Sequence, residues 1–481
     1  MRPFDLGVIL VYLIGVTWFG ARFRSTQKSL KDYFLGGRAA PWWAISLSIV
    51  SAETSTLTIV GTPALAFNGN FGFLQVVFGY LLARLVISAV FLPHYFRGEL
   101  YTAYELMQRR FGSRIRKVTS ATFLVTRALA EGVRVFAVSI VVSIILGTGE
   151  IASILLIVAL TLFYTFEGGM TAVIWTDVVQ MCMYAGGAVL SLVIIAQHAP
   201  SGISHAIAVA DQFHKFQVFD FASPVFTYPY NFWAGIIGGC FLTTASHGTD
   251  QLVVQRLLSA RSEKESRRAL LSSWVVIFIL FSLFLVVGAL LFVYYRESHL
   301  APPSPMDKLY PKFVWDSLPV GAAGLVMASI LAAAMANLSA ALNSLASATV
   351  VDFFGKARER TLGLARAATI LWAGVLVAIG LVARHWGSVL ESGLSIASVT
   401  LGVLLGVFLL GVLTTRVGQN AAIAGVIVGL AIILYVKFET QIAFTWWVPI
   451  GSCATFLGGC LASIVLRSRD VVNLHDSTQK L

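Results

Sequence analysis

Thirteen apolar stretches alternate with polar segments along the chain, near residues 4–21, 42–67, 71–96, 118–146, 149–167, 171–197, 230–258, 269–295, 319–352, 364–384, 388–414, 420–436 and 445–466. A helix needs roughly 20 residues to cross a hydrocarbon core ~30 Å thick. The pattern therefore predicts an all-α polytopic membrane protein of about thirteen transmembrane helices. No segment outside them is long enough to fold as a soluble domain, so residues 1–481 read as one membrane domain.

Most of these stretches are plain runs of Leu, Val, Ile, Ala and Gly, but two are not. The second contains Ser51-Ala52-Glu53-Thr54-Ser55-Thr56, then Thr58 and Gly61-Thr62-Pro63. The seventh contains Thr243-Thr244-Ala245-Ser246-His247-Gly248-Thr249-Asp250-Gln251. A lone Ser or Thr in a buried helix bonds back to its own backbone. Runs of polar residues that include an acid need another explanation. An unsatisfied backbone group in hydrocarbon costs several kcal/mol, so a helix breaks at mid-membrane only where it lines a site. Interruptions at corresponding positions of two halves point to a transporter's binding site. The two segments stand five apart in order, the spacing of an inverted five-plus-five repeat.

Composition agrees with a lipid setting: of 481 residues, 57% are hydrophobic and only 12% charged, about half the charge of a soluble domain. The formal net charge of +11 does not imply nucleic acid, because the cations cluster in alternate loops. One loop holds Arg22, Arg24, Lys28, Lys31 and Arg38, and the next basic loop holds Arg97, Arg109, Arg110, Arg114, Arg116 and Lys117. Arg256, Arg261, Lys264, Arg267 and Arg268 follow, then Lys356, Arg358, Arg360 and Arg366. This alternation predicts a multi-pass cell (inner) membrane protein with its N-terminus outside and its C-terminus in the cytoplasm. Cys182, Cys240, Cys453 and Cys460 all fall inside apolar stretches and read as small apolar residues rather than a disulfide framework. The first stretch carries Asp5 and no small-residue cleavage site before Arg22, so it reads as a retained helix.

An enzyme is not indicated. There is no HExxH, and Ser246, His247 and Asp250 form no recognisable catalytic motif. The partners expected are lipid and a small-molecule solute, with no obligatory protein partner. The segment after the last stretch, 467–481, is too short for the signalling domain of a transporter-like sensor.

Several motifs, in order, resemble the sodium:solute symporter family. They are Asp32-Tyr33-Phe34-Leu35-Gly36-Gly37-Arg38 with Trp42-Trp43-Ala44; Tyr101-Thr102-Ala103-Tyr104-Glu105 with Arg109-Arg110-Phe111-Gly112; Gly168-Gly169 with Ile174 to Gln180; Thr249-Asp250-Gln251 with Val254-Gln255-Arg256; and Leu342-Asn343-Ser344 with Val351-Asp352. Gly402 to Gly411 resembles the family's late core helix. The resemblance implies a leucine-transporter-type fold: a leading helix at 4–21, a first repeat at 42–197, a second at 230–414, trailing helices at 420–466 and a cytoplasmic tail at 467–481. The segment Ser51–Thr62, with GTPA at 61–64, is closest to the branch handling monocarboxylates, vitamins and iodide.

The resemblance also implies the sites. The principal sodium site would take the backbone carbonyls of Ser51, Thr54 and Ala333 and the side chains at 336 and 337. Here the chain departs from the family's paired hydroxyls, because Ala336 offers no oxygen and Asn337 offers one amide oxygen. Proton coupling is the alternative this leaves open. A second cation site, used by some members, would fall on Asp177 and Ser339, with Ala340 replacing a second hydroxyl. Glu53, Thr58 and Tyr80 match positions that meet solute or ion. Ser246 and His247 stand where sugar carriers tend to have aromatics, and with Asp250 they complete the candidate solute site.

Three arginines lie inside apolar stretches, where a charge costs at least a few kcal/mol unless paired. Arg127, Glu131 and Arg134 share one helix face at i, i+4 and i+3 spacings and predict an internal clasp. Arg84 has no acid within helical reach, so it pairs with another helix, with Glu53 or Asp177 as candidates, or meets an anionic solute. An organic anion such as a carboxylate is the expected cargo, and a sugar, polyol or amino acid the alternative.

Overall fold

The computed structural model describes residues 2–22, 36–97, 103–164, 170–199, 201–349, 353 and 361–466. Of the motifs above, Asp32 to Leu35, Tyr101, Thr102, Gly168, Gly169, Val351 and Asp352 lie outside the described residues, as does the tail 467–481.

The described chain is helical, with no strand. In order its main helices are α1 (Pro3–Ala21), α2 (Trp42–Glu53), α3 (Thr56–Asn68), α4 (Phe73–Phe96), α5 (Ala103–Phe111), α6 (Ser113–Leu146), α7 (Glu150–Tyr164), α8 (Met170–His198) and α9 (Ile203–Gln212). They continue as α10 (Gly239–Gly248), α11 (Gln251–Leu258), α12 (Glu263–Glu297), α13 (Leu309–Ser317), α14 (Ala322–Thr349), α15 (Thr361–Ala383), α16 (Val389–Leu413), α17 (Gln419–Glu439) and α18 (Trp447–Val465). Each predicted stretch falls on one of these helices or on an interrupted pair. By length and apolarity alone, eight helices among the described residues can cross a membrane, or nine with the bent pair α2–α3 counted as one. Thirteen therefore counts apolar segments, not helices that each meet that criterion.

The two polar segments are where the helices break. Between α2 and α3 the chain bends by 65°. Ser55 is extended (φ −87°, ψ 177°), and its N–H donates to the Glu53 carbonyl at 3.1 Å rather than to that of Ser51. Thr58 N–H turns likewise to Ser55 O at 2.9 Å, not to Thr54 O. The carbonyls of Ser51 and Thr54 are thereby released from the i→i−4 ladder.

Between α10 and α11 the break falls at Thr249–Asp250. Asp250 is extended and its side chain accepts from Leu252 N at 2.9 Å, the N-cap of α11. The Gly248 carbonyl, which Leu252 would otherwise serve, accepts instead from the Tyr95 hydroxyl of α4. At this second break the freed Gly248 carbonyl has thus found a partner, as hydrocarbon requires.

Both broken helices lie inside the bundle. The α2 half packs on α8 and α12, and the α3 half on α12, α16, α6 and α14. Helices α4 and α10 run close together because glycines meet there: a Cβ on Gly79 would stand 2.8 Å from Cys240 N. Asp5 of α1 is fully buried and accepts from the backbone N–H of Gly321 (2.7 Å) and Gly324 (2.8 Å), fastening the leading helix to the start of α14.

Candidate functional site

The first break faces a small void of about 10 Å³, room for one water or one ion. Ser55 and Thr56 of α3, Ala334, Asn337 and Leu338 of α14, and Glu131 and Arg134 of α6 line it together with Val135, Val138 and Ile157. The freed carbonyls of Ser51 and Thr54 stand at the same break. The side-chain hydroxyls of Thr54 and Thr56 are buried without a hydrogen-bond partner, and so is that of Tyr184 on α8, which lies beside Ser51 and Thr54. Oxygen atoms left without donors in an apolar interior suit a bare monovalent cation, whose water shell they can replace. Asn337 is therefore brought to the break as expected, and Ala333 precedes the cavity-lining Ala334 on the same helix. Tyr184 is an addition. Its spacing from Asp177 along one helix was the only sequence signal for it, and an aromatic in an apolar run reads as core.

Asp177 is not free to hold a second cation in this structure. Its Oδ2 accepts from Ser48 Oγ (2.6 Å) and from Arg256 Nη2 (2.9 Å), and Arg256 Nε donates to the same Ser48 hydroxyl (2.9 Å). Ser339 lies on α14 but lines neither of the two cavities described here.

The expected solute residues form a connected network at the ends of the two breaks. Glu53, the last residue of α2, receives Arg84 Nη2 at 2.6 Å, and His247 Nε2 lies 3.3 Å from the same oxygen. Arg84 is 0% exposed and also donates to Ser273 Oγ (3.0 Å) and the Tyr80 carbonyl (3.3 Å). Ser246 Oγ bonds His247 Nδ1 at 2.9 Å. Of the alternatives left open for Arg84, the pairing with Glu53 is the one present in this structure. Asp250 is likewise occupied. One oxygen caps α11, and the other lies 3.7 Å from Arg127 Nη1. Thr58 is buried in the first turn of α3, and Tyr80 is buried against Phe281. Neither lines a cavity described here.

The clasp on α6 is present. Glu131 Oε1 takes Arg127 Nη2 at 2.9 Å and also Arg134 Nη1. One carboxylate oxygen thus serves two guanidinium groups, and the Nε atoms of both arginines are buried without a hydrogen-bond partner.

At the other end of α3 a cavity of about 500 Å³ opens among Asn68, Asp307, Arg384, His385, Ser388 and Glu391. Asp307 is 3% exposed, its Oδ2 accepts from Val389 N at 3.1 Å, and its Oδ1 has no partner. Burial, with the Glu391 charge adding to it, pushes the Asp307 carboxyl from the usual 3.8 up to about 6. The folded state then holds the proton more tightly than the unfolded chain, so stability falls as pH rises from 3.8 through 6 and stays lower above. Asp307→Asn keeps an acceptor for Val389 and removes the charge. It should raise the melting temperature at pH 7.5, by a stabilisation on the order of 1–3 kcal/mol, and the gain should vanish near pH 4. An equal gain at both pH values would show that the charge is not the cause.

A profile of the sodium:solute symporter family matches residues 33–429. The chain is 28% identical to the sodium/sialic acid symporter SiaT of Proteus mirabilis, over 98% of this chain and 97% of that protein. It is 28% identical to the human sodium/iodide cotransporter, covering 90% of this chain and 69% of the relative. With the mouse sodium-coupled monocarboxylate transporter 1 it shares 29% identity over 86% of this chain and 69% of that one. Among solved structures, a sodium-coupled sialic acid symporter in a substrate-bound, outward-open state superposes with a TM-score of 0.84 at 27% identity, covering 96% of this chain and 98% of that one. Mhp1, a nucleobase-cation-symport transporter, shares the fold with a TM-score of 0.54 at 11% identity, over 89% of this chain and 93% of that one.

Proposed function

This chain belongs to the sodium:solute symporter family and is a sodium-coupled symporter, and from that premise we propose that it imports a small organic anion by alternating access. The observation that carries the anion is Arg134. Arg134 borders the void at the first break, which at about 10 Å³ admits a solute only once the break opens. Its Nε is buried without a hydrogen-bond partner, and the one carboxylate oxygen beside it is shared with Arg127. Donors remain for an acceptor brought in from outside. The relatives named above carry sialic acid, iodide or monocarboxylates, all anions. Arg84, being paired, adds nothing to this reading.

Sodium, the co-transported ion, would sit at the break. The carbonyls of Ser51, Thr54 and Ala333 and the amide oxygen of Asn337 would hold it, with the hydroxyls of Thr54 and Tyr184 able to supply the oxygens lost at Ala336. With a monovalent anion one sodium makes the step electroneutral, so the membrane potential does not act on it and the sodium concentration gradient alone drives uptake. A tenfold gradient is worth about 1.4 kcal/mol and supports about tenfold accumulation. The repeats at 42–197 and 230–414, an outside N-terminus and a cytoplasmic C-terminus complete the proposal, supported by the alternation of basic loops.

Purified protein in liposomes tests the cargo. Uptake driven by an inward sodium gradient is expected for sialic acid or a short monocarboxylate and not for neutral sugars. Uptake confined to neutral sugars or to iodide would overturn the organic anion, and uptake driven equally by a proton gradient in choline would overturn the ion. Asn337→Ala should raise the half-saturating sodium concentration about tenfold, the equivalent of roughly 1.4 kcal/mol of binding, with maximal uptake retained at high sodium. Wild-type sodium dependence would remove Asn337 from the ligand set.

A further inference from the structure

Lys215 follows helix α9 in the long loop between α8 and α10, and its backbone N–H closes that helix on Ala210 O at 3.0 Å. The side chain is 5% exposed, and among the described residues no carboxylate lies within ion-pair distance of it. A buried cation without an acid needs another source of negative potential. Its Nζ donates to the carbonyls of Phe67 (2.6 Å), Gly69 (3.0 Å) and Ala66 (3.4 Å), and it sits 4.0 Å from the Phe292 ring centroid. An ammonium has three protons, and here three carbonyls at the end of α3 take them. These are the groups that a helix C-terminus leaves unsatisfied and where its dipole is negative. The loop is fastened beside this point as well, through Phe71 N to Gln217 O at 3.1 Å and the edge contact of Phe71 with Phe216.

The other end of α3 is the first break, where Ser55 and Thr56 face Asn337 across the cavity. A helix of 13 residues is about 20 Å long, so fixing one end sets the tilt at the other. Pro63, inside α3, removes one rung of the ladder and leaves the helix able to bend halfway. Without an anchor at its outer end the inner end is poorly determined.

We infer that Lys215 is a positioning residue for the coupling ion: its ammonium holds the outer end of the half-helix whose inner end forms one wall of the sodium site. The inference rests on the placement of sodium at the Thr54–Ser55 break. The loop from α8 to α10 is accordingly part of the coupling apparatus and not a passive cover.

Lys215→Met should raise the half-saturating sodium concentration for uptake at least about fivefold, the loss expected for a buried cation at a helix terminus. Maximal uptake at saturating sodium should stay within about twofold, and Lys215→Arg should restore most of the sodium affinity. A merely structural lysine would instead lower the melting temperature and the maximal rate and leave half-saturation unchanged. Should Lys215→Met fail to fold, Lys215→Gln keeps a donor without the charge and should give a smaller shift in the same direction. Wild-type half-saturation in both variants, with Asn337→Ala still shifted, overturns the role of Lys215 alone. If Asn337→Ala is unshifted too, the placement of the ion fails with it.

Discussion

Glu53→Gln is expected to abolish sodium-driven uptake and to lower the melting temperature by several degrees. The substitution keeps the size of the side chain and one oxygen, and removes only the charge. That charge faces the Arg84 guanidinium at 2.6 Å, and Arg84 is fully buried among Ser273, Tyr80 and Glu53 itself. Removing one partner of a buried ion pair costs about 3–5 kcal/mol, because the other charge stays behind unpaired. His247 Nε2 lies 3.3 Å from the same oxygen without hydrogen-bond geometry, and belongs to the last turn before the second break. Glu53 is the last residue before the first break, so one carboxylate stands between the two turns where both helices stop. The double variant Glu53→Gln/Arg84→Met separates the two effects. It should recover most of the lost stability, since no charge is left buried alone, without recovering transport. Wild-type melting and uptake in Glu53→Gln would show that the pair does not hold the breaks.

What could be read beforehand follows from how far apart in the chain the interacting groups lie. The broken helices were legible because Ser51–Thr56 and Thr243–Asp250 put polar residues where hydrocarbon allows none without a use. The Arg127–Glu131–Arg134 clasp was legible because a helix fixes the i, i+3 and i+4 neighbours. Its extension to Asp250 was not, because that contact joins two helices whose relative rotation no local pattern records. The partner of Arg84 could be narrowed to Glu53 or Asp177 by counting intramembrane charges, and the bundle decides for Glu53. Asp177 was offered as a cation ligand by the family resemblance alone. Its pairing with Arg256, which sits in a basic segment of the sequence, was not legible, because the guanidinium folds back from α11 into the protein. Lys215 carried no signal at all, since a lysine in a polar loop is ordinarily solvated, and only the end of α3 makes it otherwise.

Arg256→Gln is expected to collapse solute accumulation by at least about tenfold, the effect of losing a few kcal/mol of closure, while raising sodium-independent efflux. The cavity of about 500 Å³ lies beside Asn68, Asp307 and Glu391, at the end of α3 away from the first break, the side proposed above as the exterior. At the opposite end, Ser48 of α2, Asp177 of α8 and Arg256 of α11 are all buried and bonded to one another. The inner halves of both broken helices, α2 and α11, are thereby fastened to α8 at the end opposite that cavity. A symporter accumulates solute only if the two ends are not open together, so a clasp at the inner end acts on coupling more than on binding. Solute affinity in detergent should therefore change little in Arg256→Gln. Asp177→Asn discriminates between this role and that of a second sodium ligand. As a partner in the clasp, Asp177 should give a variant that behaves like Arg256→Gln, with efflux raised and half-saturating sodium nearly unchanged. As a sodium ligand, it should give a variant with a raised half-saturating concentration, and Arg256→Gln, by freeing the carboxylate, should lower it.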